Sequence, residues 1–237
     1  MRVISAVSRV FLPLAEFLFP PVCASCDVYL AATERSVCGQ CWTVMRRLQG
    51  DDPLYRETRA HLLDAGHVEE VFAPYVFDRD GPLHTVIHRL KYEGMTPLGE
   101  ELGLRLGHHL AAHASLHPPV VILPVPLHRA KRRERGYNQT EFICRGIART
   151  IPGTVMPHLL HRRRYTRSQT TLSREERQQN VANAFGFDAK VRLNLGNITI
   201  LLVDDVITTG ATIDGCASVL RNHGARTVIA CAIALAP

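Results

Sequence analysis

The 237-residue chain predicts an α/β protein: a mostly parallel sheet flanked by helices, preceded by a small cysteine-rich module. Three observations carry this. Continuous apolar runs such as "PPVVILPVP" and "NITILLV" suit strands buried on both faces. Segments with helical apolar spacing alternate with those runs, the pattern of a parallel sheet covered by helices. Four of the seven cysteines fall in one N-terminal block.

The bulk numbers agree. Hydrophobic residues make up 46% and charged residues 21%, as in an ordinary globular protein and unlike a disordered one. The net charge is +6 and the pI about 9.1. That balance suits phosphorylated ligands or nucleic acid without choosing between them. An odd cysteine count with one cluster argues for metal binding in a reducing compartment rather than a disulfide framework.

At the N-terminus, Val3, Val7, Val10, Leu14 and Leu18 recur at helical spacing, which predicts an amphipathic helix packed on its own protein. Arg9, Pro13 and Glu16 interrupt the stretch. No run reaches the ~18–20 apolar residues of a membrane span, and no cleavage site follows a clean apolar core. The expected location is the cytoplasm. Residues 1–48 read as this helix, the cysteine block and a second helix from "CWTVMRRLQ". Residues 49–69 are polar and irregular and read as a linker.

Residues 70–237 read as the main domain. "VEEVFAPYVFD" reads as a strand, and "GPLHTVIHRLKYEG" and "PLGEELGLRLGHHLAAHA" as helices. Strand "PPVVILPVP", helix "NQTEFICRGIART" and strand "NITILLV" follow. "GATIDGCASVLRNHGA" is a helix with Gly224 in the stop position, and "RTVIACAIAL" is the last strand.

The most informative stretch is "LLVDDVITTGAT". Its apolar run meets two acids, Asp204 and Asp205, where ligands of open parallel sheets bind. Thr208, Thr209, Gly210, Ala211 and Thr212 then open a helix. A first helical turn has unpaired N–H groups and a positive dipole end, and small residues let an anion approach. The carboxylates would repel that anion, so they need donors or a metal. A vicinal diol offers two donors, so the pattern fits a sugar phosphate accompanied by Mg²⁺. The loop is neither a Walker A loop nor a dinucleotide fingerprint.

"ILLVDDVITTGAT" resembles the phosphoribosyl pyrophosphate (PRPP) signature of type I phosphoribosyltransferases. The resemblance implies that Asp204 and Asp205 hold the ribose hydroxyls and that Thr208 to Thr212 hold the 5′-phosphate. Two stretches are strongly basic. "PVPLHRAKRRERGYNQ" follows a strand and carries Arg133 and Arg135, which could stabilise charge growing on a pyrophosphate leaving group. "RSQTTLSREERQQNV" carries Arg167 and Gln169, candidates for a lid over the phosphates. Together with "RLKYEG" and the paired cysteines, these stretches resemble the ComF/GntX family of double-zinc-ribbon, phosphoribosyltransferase-type proteins. One branch of that family is a competence protein for DNA uptake.

Cys23, Cys26, Cys38 and Cys41 form C-x₂-C-x₁₁-C-x₂-C. Two close pairs can present four thiolates to one structural Zn²⁺. Two local disulfides or four free thiols are the alternatives. Trp42 is expected to pack on this module. His84 and His88 stand four apart but lack the glutamate of a zinc hydrolase, so a plain helix face is expected. Cys144, Cys216 and Cys231 read as buried thiols. Lys91 and Tyr92 follow a helix near where an acceptor could sit. Three functions follow from these readings: transfer of phosphoribosyl from Mg-PRPP, binding of single-stranded DNA through its phosphates, or a scaffold for a partner of the uptake machinery.

Overall fold

The computed structural model describes residues 20–114, 116–163, 184–188 and 190–237. The expected N-terminal helix, together with Arg167, Gln169 and the rest of the second basic stretch, lies outside them. The helices are α1 (Gly39–Val44), α2 (Pro53–Asp64), α3 (Pro82–Tyr92), α4 (Thr96–His113), α5 (Arg129–Arg135), α6 (Gln139–Ile147) and α7 (Ala211–Asn222). The strands are β1 (Glu70–Phe72), β2 (Tyr75–Val76), β3 (Val120–Pro124), β4 (Thr154–Val155), β5 (Leu160–Arg162), β6 (Phe185–Phe187), β7 (Thr199–Ile207) and β8 (Thr227–Leu235).

The main sheet runs β1-β8-β7-β3-β4, with β2 also on β8, and every pairing in it is parallel. Its central strands alternate between two cores, as a strand period of two requires. Ile122, Leu201, Val203 and Cys231 face α3, α4 and α6. Leu123, Ile200, Leu202 and Ala230 face α2 and α7. Helices α4 and α6 cross at very close range: a Cβ on Gly103 would stand 2.0 Å from the Ile143 carbonyl oxygen. Glycine there lets α6 press onto α4, which fixes where the N-terminus of α6 points.

Three expectations need correcting. Residues 49–69 are not an irregular linker, because they contain α2. Asp52 caps that helix by accepting from the Leu54 N–H at 2.9 Å, with Pro53 at its first turn, and Leu62 is fully buried. The stretch expected as one strand over 68–78 is two, β1 and β2, with Pro74 between them. Proline supplies no ladder N–H, so pairing restarts beyond it. The second helix of the cysteine module is also short, ending at Val44.

Strand β7 does not stop at the acids but runs on to Ile207. Strand β8 keeps pairing with it up to Ile207↔Leu235, whereas β3 leaves at Pro124↔Val203. The acids are therefore strand residues with one open side. The chain leaving β3 goes through α5 and α6 to β4, and the chain leaving β7 goes through α7 to β8 on the other side. Two neighbouring strands whose connections diverge open a crevice at their carboxyl ends. Among the described residues, no helix is long and apolar enough to cross a membrane.

Candidate functional site

The crevice between β3 and β7 is built by backbone first. The Val125 N–H donates to the Val203 carbonyl at 2.8 Å, which keeps the chain leaving β3 beside the acid pair. Because successive strand residues face opposite ways, the two acids have different surroundings. Asp204, half-buried, lines a small pocket with Val206 and the turn Thr208–Thr212. Its Oδ1 accepts from the Asp205 N–H at 2.8 Å. Asp205 is buried on the other side, where its Oδ2 meets Lys91 Nζ at 2.9 Å and accepts from Gln139 Nε2 at 2.7 Å.

That difference bears on the acidity of Asp204. Burial, then the neighbouring Asp205 carboxylate, pushes Asp204 up to about 7, against the pull of the Asp205 N–H, Lys91 and Arg162. Asp205 has a cation and an amide donor in contact, so its buried charge is compensated.

The turn after β7 has the form expected for an anion cradle. Thr208 and Thr209 are exposed, and Gly210 is buried at φ +75° as the N-cap of α7. No side chain caps this helix, so its first-turn N–H groups stay available at the pocket. On the far side of the turn, Leu62 of α2 backs Gly210: a Cβ there would stand 2.8 Å from Leu62 Cδ2. At the end of that first turn Asp214 pairs with His67 Nδ1 at 2.7 Å.

The predicted arginines divide. Both lie on α5, a short helix with no buried residue. Arg135 stands over the Tyr92 ring at 5.2 Å and donates to Gln139 Oε1, which links it through Gln139 to Asp205. Arg133 is exposed on the same helix. Sequence reasoning gives Gln139 no role, and it places Lys91 near an acceptor rather than on Asp205. Gln139 could have been found from its place just after a capping residue: Asn138 caps α6, and Gly136 ends α5 at φ +84°.

The cysteine module gathers Cys23, Cys26, Cys38 and Cys41 so that their sulfurs all lie within 4.8 Å of one another and could hold one metal ion. All four are unbridged. Burial alone would raise Cys23, but main-chain N–H groups of Cys38, Ser25 and Cys26 donate to its sulfur and bring it down to about 7. Trp42 does more than pack on the module. Its Nε1 donates to Glu101 Oε1 of α4 at 3.2 Å, the Ser36 N–H donates to Glu101 Oε2 at 2.8 Å, and Arg105 lies 3.6 Å over the indole. Glu101 therefore ties the module to the main domain. Nothing in its sequence neighbourhood marks it, because its partners lie 59 and 65 residues away.

The chain is similar to known proteins over most of its length. The model of the phosphoribosyl transferase domain matches residues 146–237, which include the acid pair and the turn. A protein of Salmonella typhimurium named DNA utilization protein YhgH is 30% identical over 218 residues, covering 88% of this chain and 94% of that one. The chain belongs to the ComF/GntX family. A Haemophilus influenzae relative named competence protein F is 31% identical over 152 residues, covering 62% of the ComF-family chain and 65% of its own length. A hypoxanthine phosphoribosyltransferase structure from Staphylococcus aureus overlaps 56% of the chain at 14% identity and a TM-score of 0.35. The allosteric regulatory enzyme of purine biosynthesis overlaps 56% at 22% identity and a TM-score of 0.37. Overlaps that loose carry no argument about this ComF-family fold, which rests on its own strand order and on the domain match.

Proposed function

We propose that this protein binds Mg-PRPP across the β3–β7 crevice and transfers the phosphoribosyl group to an acceptor, in support of DNA uptake. One observation carries the reading: a carboxylate, Asp204, faces the same small pocket as an uncapped helix N-terminus. The amides of Thr208–Thr212 take the 5′-phosphate. Asp204 orients the ribose hydroxyls, with Asp205 behind it in a position fixed by Lys91 and Gln139. The acceptor forms a bond to the anomeric carbon while pyrophosphate leaves with the electrons of the broken C–O bond. Lys91 and Arg135, which converge near Asp205, offset the charge that develops on pyrophosphate. Mg²⁺ arrives with PRPP and screens its phosphates. The DNA link draws on the names of the relatives, DNA utilization protein and competence protein F.

Zn²⁺ suits the cysteine set. Four Zn–S bonds of ~2.3 Å place tetrahedral sulfurs about 3.8 Å apart, and the Cys26–Cys38 Sγ separation is 3.8 Å. A four-cysteine site is closed, so its role is structural.

Calorimetry with Mg-PRPP tests the assignment. Asp205→Asn is expected to weaken binding at least tenfold, about 1.4 kcal/mol, while thermal melting moves little, because Lys91 is near enough to the surface to turn to water. Equal affinity in wild type and variant would sink the assignment.

A second reading has its own observation. His84, His88 and Tyr92 form a row along α3, with ring centroids 6.3 and 4.8 Å apart, and Arg135 caps the row over Tyr92. Exposed rings beside a basic helix suit stacked bases of single-stranded DNA. Such binding should weaken steeply with salt and survive Asp204→Asn; affinity indifferent to salt removes this reading.

A further inference from the structure

A cavity of about 240 Å³ opens at the β1 edge of the sheet, between α2, the C-terminal end of α4 and residues 48–50. We infer that it is a nucleotide-binding site: one base seats against its aromatic walls, and a phosphate group lies outside, beside Arg47. The inference does not depend on the phosphoribosyl-transfer reading. In the strand order, β8 and β7 separate this edge from the β3–β7 crevice, and the cavity shares no lining residue with the Asp204 pocket.

The walls suit a flat ring. Phe72 and His109 meet edge to face, with centroids 6.3 Å apart and planes at 71°. His113 lies beside His109, with centroids 4.5 Å apart and planes at 31°. Tyr55, Leu48 and Ala73 complete the wall. Aromatic side chains hold bases of any kind by stacking, because every base has a π-face. The volume lies below the ~300–1,000 Å³ of sites for drug-sized ligands, so one ring system enters and the rest of the ligand stays outside.

Two wall groups have a fixed polarity. The Tyr55 hydroxyl donates to the Val71 carbonyl at 3.1 Å, which leaves its lone pairs for a ligand. His113 Nδ1 lies 2.8 Å from the His109 carbonyl oxygen, which only accepts, so Nδ1 carries the proton. The Nε2 of the neutral ring is then an acceptor. Both groups ask for a donor, and the amino and ring N–H groups of a base supply one. Nothing in the lining compensates a cationic amine. No acid is among the described lining residues, and Glu70, whose charge reaches Tyr55, is held in two hydrogen bonds by Arg59. The charge at the cavity is instead positive. Arg47 directly precedes the lining residue Leu48, and its charge reaches His109. Its guanidinium lies 5.9 Å from the centroid of the Tyr75 ring, is exposed, and pairs with no carboxylate among the described residues. A guanidinium with open donors suits a phosphate.

Calorimetry on the full chain tests this at about pH 8, where histidine is neutral. AMP and a short oligodeoxyadenylate are the probes, with adenosine and ribose 5-phosphate as controls. At least one probe should bind about tenfold or more tighter than both controls. The tighter of the two probes tells a free nucleotide from a nucleotide within a strand, and either one supports the site. His113→Ala, at the exposed last residue of α4, should weaken that binding about tenfold. Arg47→Gln should erase the advantage of the phosphorylated probe over adenosine. Both side chains are exposed, so the melting temperature should barely move. Probes that bind no better than the controls overturn the inference, as does binding that survives the two substitutions combined. Binding that survives them and is abolished by Asp204→Asn places the nucleotide in the crevice and overturns it equally.

Discussion

A carboxylic acid that holds its proton up to about pH 7 makes folding sense only if something repays it on ionisation, and Asp204 is that residue. The unfolded chain ionises Asp204 near its ordinary 3.8, whereas the folded chain keeps the proton up to about 7. Between those values the folded state binds more protons than the unfolded one. Stability therefore falls as pH rises through that window and levels off above it. Asp204→Asn removes the titration. The melting temperature of the variant, relative to wild type, should climb from pH 4 to pH 7 and hold its advantage above; parallel melting curves across that range would refute it. In the proposed function Mg-PRPP supplies the repayment, since ribose hydroxyls and Mg²⁺ would favour the charged form. Binding at pH 6 should therefore release protons, read as a heat that changes with buffer ionisation enthalpy.

At the scale of the element, the turn after β7 depends on α2, a helix distant in sequence. Gly210→Ala meets two penalties: a side chain at φ +75°, and a Cβ 2.8 Å from Leu62 Cδ2. The first alone costs about 1–2 kcal/mol. Urea unfolding should show a loss of at least that size, with Mg-PRPP binding weakened because the cradle shifts. Leu62→Ala in the same background should restore part of the binding by making room, an effect that a purely conformational penalty would not show. The comparison also marks where sequence was legible. "ITTGAT" announced the turn into α7 because its small residues and glycine are local necessities. The apolar strands announced themselves because burial on both faces leaves no polar position. The helix over 53–64 was present in Asp52-Pro53, a cap followed by a first-turn proline, but its polar composition masked the signal. The separate surroundings of Asp204 and Asp205 followed from strand alternation once the strand was known to continue past them. Its continuation depended on β8 and not on β7's own residues.

For the whole molecule, the question is whether the cysteine module is an appendage or a part of the fold. Its buried residues, among them Cys23, Val37, Trp42 and Met45, belong to the same apolar cluster as Leu83, Leu102 and Ile143 of the main domain. Glu101 seals the junction: it is 8% exposed, and it accepts from the Ser36 N–H and from the indole of Trp42. Loss of the proposed Zn²⁺ would free the two cysteine pairs, withdraw both donors and leave a buried carboxylate unsatisfied, at a cost of about 1–3 kcal/mol or more. Removal of metal by a chelator should therefore lower the melting temperature of the whole protein in one transition, and not melt a small unit separately. Trp42 is the single tryptophan in the chain, so its emission reports on this junction alone. It should shift to the red on chelation and return on adding Zn²⁺. Glu101→Gln keeps the shape but weakens the acceptor, and should narrow the gap in melting temperature between metal-loaded and chelated protein. A chelated protein that melts as before, with unchanged Trp42 emission, would mean that the sulfur cluster stands without its ion and that the junction is held by packing alone.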